Sequence, residues 1–159
     1  MRTIGFRAEP NALNYAVIEG TVRAPCLIAH AKISAARNFG EAESLVWYRK
    51  RVEIVIEEFK PTYAVVRCPE PFAKVGKPTS IYQRVRIEGV VAEVAHKMGL
   101  QVEVEALVTM SARIGSESAK SYLSQDDLRG LDWSSLNVNV REAVLAATAG
   151  LEGRNGRSS

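Results

Sequence analysis

At 159 residues, 47% of them apolar and 25% charged, the chain is expected to form one soluble domain with one sizeable core. Its net charge of +3 and pI of about 9.0 suit a polyanion partner without requiring one. No stretch approaches the ~20 apolar residues of a membrane span or the run of a signal peptide, and two cysteines fit a reduced, cytoplasmic setting better than a disulfide scaffold.

In chain order, Arg2 to Arg7 reads as a first strand, and Pro10-Asn11 marks a turn. Leu13 to Glu19 reads as a second strand, ending in a turn at Gly20, and Arg23 to Ile33 as a third with Pro25 near its start. Short connections make these three an antiparallel meander. Asn38 can cap a helix whose apolar stripe is Leu45, Tyr48, Val52, Val55 and Phe59, and Pro61 ends it. Tyr63 to Val66 is a continuous apolar run, expected as a buried strand reached by a helical crossover and closing on Arg67. A loop, Cys68 to Pro78, leads to a second helix with Thr79 as candidate cap. Its inward residues are Ile87, Val90, Val91, Val94 and Met98, and Gly99 is its stop. Gln101 to Leu107 alternates as a fifth strand. Thr109 to Ile114 reads as a helical turn and Glu117 to Leu123 as a helix capped by Ser116. Ser124 to Ser135 reads as irregular chain. A last helix begins at Asn137 or Asn139 and turns Val140, Val144, Ala147 and Leu151 inward; residues 152–159 are expected to be a disordered tail. The order β-β-β-α-β-α-β-α-α predicts an α/β fold: a mixed five-stranded sheet with helices on both faces.

Few residues carry chemistry on their own. Cys26 and Cys68 belong to no Cys/His cluster, which argues against zinc, and both are expected as core or near-core thiols. His30 and His96 stand alone and are expected to be surface or satisfied histidines. Ser111, Ser116 and Ser118, near Arg113 and Lys120, read as caps, and Asp126-Asp127 as an acid pair opening a helix. Lys74, Lys77, Arg84 and Arg86 lie near Phe72 and Tyr82. Basic residues interleaved with aromatics suit nucleic acid, and an ordinary solvated face fits them equally well.

A sharper reading comes from a set of short pieces in fixed order: IGFR, NYAVIEG, VEIVIEEFKPTYAVVR, PEPFAK, RIEGVVAEVA and NVREAVLAATAGL. In order and spacing they resemble the RuvC-type Holliday-junction resolvases, which have the ribonuclease H-like fold. The resemblance implies one such domain over residues 1–151. It also implies a site where four carboxylates hold two magnesium ions for phosphodiester hydrolysis. Matched piece by piece, those four acids fall on Arg7, Arg67, Asn139 and Glu142. Only Glu142 keeps a carboxylate, and a guanidinium cannot ligate a cation. The implied function is therefore a RuvC-like pseudonuclease that binds nucleic acid, DNA first, or a nucleoprotein partner. It would use no metal cofactor, and it could act as a homodimer. The binding set would be Arg7, Arg67, Lys74, Lys77, Arg84 and Arg86. Arg7 and Arg67 either contact phosphate directly or pair with Glu142 and close the cavity. Two alternatives stay open: a magnesium-dependent endonuclease using Glu9, Glu70 and Glu142, and a protein-interaction domain with no nucleic-acid role.

Overall fold

The computed structural model describes residues 1–71 and 76–152. Its core is a five-stranded sheet of order β3-β2-β1-β4-β5, built from β1 (Arg2–Glu9), β2 (Ala12–Thr21), β3 (Ala24–Ile33), β4 (Tyr63–Arg67) and β5 (Gln101–Glu105). The first three pair antiparallel through tight turns; β1–β4 and β4–β5 pair parallel, each reached by a helix. This is the mixed sheet that the sequence predicts.

Side-chain alternation divides the molecule. Ile4, Phe6 and Ala8 of β1, with Ala64 and Val66 of β4, face α1 (Glu41–Phe59) and α2 (Pro78–Lys97). Tyr63 and Val65 face α3 (Leu107–Ile114) and α4 (Val138–Gly150). Thr3, Gly5 and Arg7 share that second face, and α4 lies directly along it. A Cβ on Gly5 would come within 2.0 Å of the Ala143 carbonyl oxygen, and Thr3 Oγ1 donates to the Ala147 carbonyl at 2.6 Å. The small residues of α4 thus let the helix sit on the backbone of β1 and carry its first turns over the C-terminal ends of β1 and β4.

Several local expectations are corrected. Gly20 lies within β2, and the turn follows at Val22-Arg23. The caps of α1 and α2 are Gly40 and Lys77, not Asn38 and Thr79, and neither end has a side-chain cap. Asn137 does cap α4, accepting from the amides of Asn139 and Val140. The fifth strand stops at Glu105 because Leu107 already opens α3, a full eight-residue helix. The expected helix Glu117 to Leu123 is a 3₁₀ turn, Ala119–Ser124. The "irregular" segment folds as a small hairpin, β6 (Asp127–Leu128) and β7 (Leu131–Asp132), so Asp126-Asp127 opens no helix. That hairpin buries Leu128, Leu131 and Trp133 against α4, and Arg141 stacks on Trp133 while donating to four carbonyls around it. Cys26 is exposed, because β3 is an edge strand with an outward face; Cys68 is half-buried. Both histidines are exposed. The expected tail beyond Glu152 lies outside the described residues.

Candidate functional site

At the C-terminal edge of the parallel strands, one row of side chains crosses four strands. Antiparallel register sets Asn14 of β2 opposite Arg7 of β1; parallel register sets Arg7 beside Arg67 of β4, and Arg67 beside Glu105 of β5. Partners in register point to the same face, so all four lie on the α4 side. From above, Glu142 descends on the second turn of α4.

Glu142 Oε2 accepts a hydrogen bond from Arg7 Nε at 2.8 Å and forms an ion pair with Arg67 Nε at 3.1 Å. One carboxylate oxygen therefore serves two guanidinium groups. Each arginine also turns Nη1 back onto the next carbonyl of its own strand: Arg7 to Ala8 at 2.6 Å, Arg67 to Cys68 at 2.7 Å. Arg67 and Glu142 are each 7% exposed.

Two further shells surround this triad. On the α2 side, Arg84 Nε donates to Glu88 Oε1 at 2.7 Å, and its Nη2 reaches the Arg67 carbonyl at 3.5 Å. Burial pushes the Arg84 guanidinium below its ordinary pKa, and the nearby charge of Arg7 adds to it. Burial pushes the Glu88 carboxyl up by more than Arg84 draws it back. On the β5 side, Glu105 Oε1 accepts from Arg113 at 2.8 Å, and that guanidinium lies over the Tyr63 ring and donates to its hydroxyl.

The buried side-chain atoms left without a hydrogen bond among the described residues are Asn14 Oδ1, Arg67 Nε and Glu105 Oε2. All three belong to the row. Arg67 Nε keeps its ion pair with Glu142, so Asn14 Oδ1 and Glu105 Oε2, at the two ends of the row, are the buried atoms there without a partner among the described residues.

Of the two acids proposed as replacement ligands, Glu70 lies at the edge of the triad and Glu9 away from it. Glu9 accepts from Asn14 at 2.8 Å and pairs with Lys32 at 3.2 Å, toward the outer strands. Burial works against its charge, but the bonds from Asn14 and Lys32 outweigh it and hold the carboxyl below its ordinary value. Glu70 accepts from the Leu107 amide at 2.9 Å, capping α3, and lies 3.6 Å from Arg67. Among the described residues, no group of three or more His, Cys, Asp or Glu could hold a metal ion. Two guanidiniums beside the one remaining carboxylate do not fit a magnesium ion.

The other sequence-predicted residues are scattered. Asn139 lies one helical turn before Glu142, half-buried. Arg84 is engaged by Glu88, and Arg86 by Glu41. Lys77 is exposed at the start of α2. Lys74 and Phe72 lie outside the described residues. Arg84 and Arg86 on α2 are thus paired with acids, one on α2 itself and one on α1. Asn14, Glu88, Glu105 and Arg113 were missed. Alternation in QVEVE marks Glu105 as a strand-end acid, but only the β4–β5 register puts it beside Arg67.

No protein-family model matches the chain, and no curated protein matches its sequence. Solved structures do match its fold. RuvC of Thermus thermophilus superposes with a TM-score of 0.77 at 17% identity, over 98% of this chain and 97% of that one. T. thermophilus RuvC in complex with Holliday junction substrate gives 0.76 at 16%, over 99% and 96%. The yeast mitochondrial Holliday junction resolvase gives 0.61 at 8%, over 94% and 77%. The chain is similar to these proteins in fold: its described residues have the ribonuclease H-like architecture of the RuvC-type resolvases.

Proposed function

We propose that this chain is a nucleic-acid-binding domain of the resolvase fold, with DNA as its first candidate ligand, that binds without metal-dependent cleavage. The observation that carries the reading is the sharing of Glu142 Oε2 between Arg7 and Arg67. Each guanidinium can hold a carboxylate or phosphate through two parallel bonds. Here two of them divide one oxygen, which leaves hydrogen-bonding capacity at the strand ends for a backbone phosphate. The N-termini of α2 and α4 open at this edge with no acid in their first turns, so their helix dipoles add to the positive potential, whereas that of α3 is met by the Glu70 carboxylate. Lys77 and the exposed Arg37 supply free cations beside the site. The known complex of a similar fold with a Holliday junction supports a nucleic-acid partner for this one.

Arg7 and Arg67 would contact phosphate at the groove floor, with Lys77 and Arg86 at its rim. Arg84 acts mainly by holding Glu88. A symmetric homodimer and a cytoplasmic setting are part of the same proposal; sedimentation equilibrium reads the first. A gel-shift series with labelled branched, duplex and single-stranded DNA tests binding, at rising salt and with Mg²⁺ present. Salt-sensitive retention of uncut DNA is expected. If no DNA or RNA is retained at low salt, the reading fails and the domain is better sought among protein-interaction modules.

A further inference from the structure

At the same edge of the sheet as the arginine row, but on its α1–α2 face, a cavity of about 160 Å³ opens between the β1–β2 turn, the loop after β3, the first turns of α1 and the face of α2. It has room for about five waters. Its walls combine Phe39 and Leu45 with the neutral polar groups of Ser44, Gln83 and Tyr48. Tyr48 is 1% exposed; its hydroxyl accepts from the Ala35 amide at 3.3 Å, and its proton has no acceptor among the described residues. The side chains of Ser44 and Gln83 likewise make no hydrogen bond among the described residues. Glu41, the carboxylate on the wall, is turned to Arg86. Arg37 stands at the mouth with no ion pair among the described residues.

These features define the ligand chemically. A buried tyrosine with a spare proton, two free neutral side chains and an aromatic wall suit a small, neutral, unsaturated ring with donors and acceptors on its edge. A free cation at the mouth suits a phosphate attached to that ring. We infer that the cavity takes a single unpaired nucleobase, extruded from the nucleic acid whose backbone crosses the arginine row. The inference rests on the nucleic-acid reading above and adds to it a preference for strands that offer an unstacked base. Unstacking costs least where a base is already unpaired, so the preference is for bulged or branched structures.

The test compares three labelled DNAs by fluorescence anisotropy: a perfect duplex, the same duplex with one bulged adenine, and one in which that bulge is abasic. Free deoxyadenosine monophosphate serves as a separate arm. The wild type is expected to bind the bulged adenine at least about fivefold tighter than the abasic bulge, the range of a base stacked on an aromatic side chain. Ser44→Trp, which fills the cavity from an exposed helix, should bring that ratio to one while leaving perfect-duplex affinity unchanged. Gln83→Ala should lower the ratio partway. Equal affinity for base and abasic bulges, with duplex binding intact, overturns this inference and leaves the nucleic-acid reading standing. Loss of binding to all three DNAs overturns both. Binding of the free nucleotide alone, abolished by Ser44→Trp, would make the ligand a mononucleotide and overturn the strand-borne base.

Discussion

Glu142 is the residue on which the site turns. Removing one partner of a buried ion pair leaves uncompensated charge, at a cost of about 3–5 kcal/mol. Glu142→Ala is therefore expected to destabilise the fold by roughly that amount in urea denaturation, because Arg7 and Arg67 both lose their shared oxygen. Replacing all three together, with Arg7→Leu, Arg67→Met and Glu142→Met, should cost far less, about 1 kcal/mol or under, since no charge is then stranded. A triple variant as unstable as Glu142→Ala would mean the three do not share one cavity. Glu9 gives a pH-dependent counterpart. Its carboxyl lies below its ordinary value of 4.5 when folded, so its ionised form stabilises the fold above that pH, and the contribution is lost as pH falls through the folded value. The stability gap between wild type and Glu9→Gln should be present at pH 7 and close as the solution is acidified below 4.5; a gap that widened on acidification would contradict the assigned bonds. Arg7, Arg67 and Glu142 were singled out in the sequence only through the family resemblance, matched piece by piece; apolar runs alone pointed to none of them. Asn14 and Glu105 were not, since strand register, which no local pattern sets, brings them into the row.

At the scale of elements, the seating of α4 on β1 positions Glu142. Gly5 makes this contact possible: a methyl group there would meet the Ala143 oxygen at 2.0 Å and the Ala147 nitrogen at 2.4 Å. Both are backbone atoms, so neither can swing aside. Gly5→Ala is expected to push α4 off the sheet and cost more than about 3 kcal/mol, beyond ordinary overpacking. Thermal unfolding checks it; a shift no larger than that of a surface substitution would show that α4 does not lie directly on the strand. The run of small residues in REAVLAATAG hinted at such close packing, but not at which strand would receive it. The sequence misread α2 for a related reason. Its stripe is apolar at Ile87, Val91 and Val94, yet Glu88 is buried among them, because Arg84 one turn earlier accompanies it inward. The i, i+4 spacing of that pair was visible; that it faced the site rather than solvent depended on the arginine row lying beneath it.

For the whole molecule, the topology was the most legible feature, since three short-linked strands followed by two helix-linked ones leave few ways to build one sheet. The basic surface was the least legible. Of the four cations expected along α2 and its loop, Arg84 and Arg86 are held by acids, and Lys77 is exposed. Binding should therefore release few counterions: the slope of log affinity against log salt on duplex DNA is expected between about −2 and −4, at about 0.9 per phosphate neutralised. Lys77→Ala should flatten it by about one unit. A slope steeper than about −7 would require a basic surface larger than the free cations near this edge provide.

We propose that this domain of resolvase fold binds nucleic acid through a site where two arginines share one glutamate. Incubating the chain with labelled four-way junction DNA in Mg²⁺ at low salt, and reading retention and strand cleavage from the same samples, tests this most directly. Retained, uncut DNA is expected, with retention weakened by Arg7→Ala and lost as salt rises. Cleavage that needs Mg²⁺ and disappears in Glu142→Gln, or the absence of any retained DNA, would contradict it.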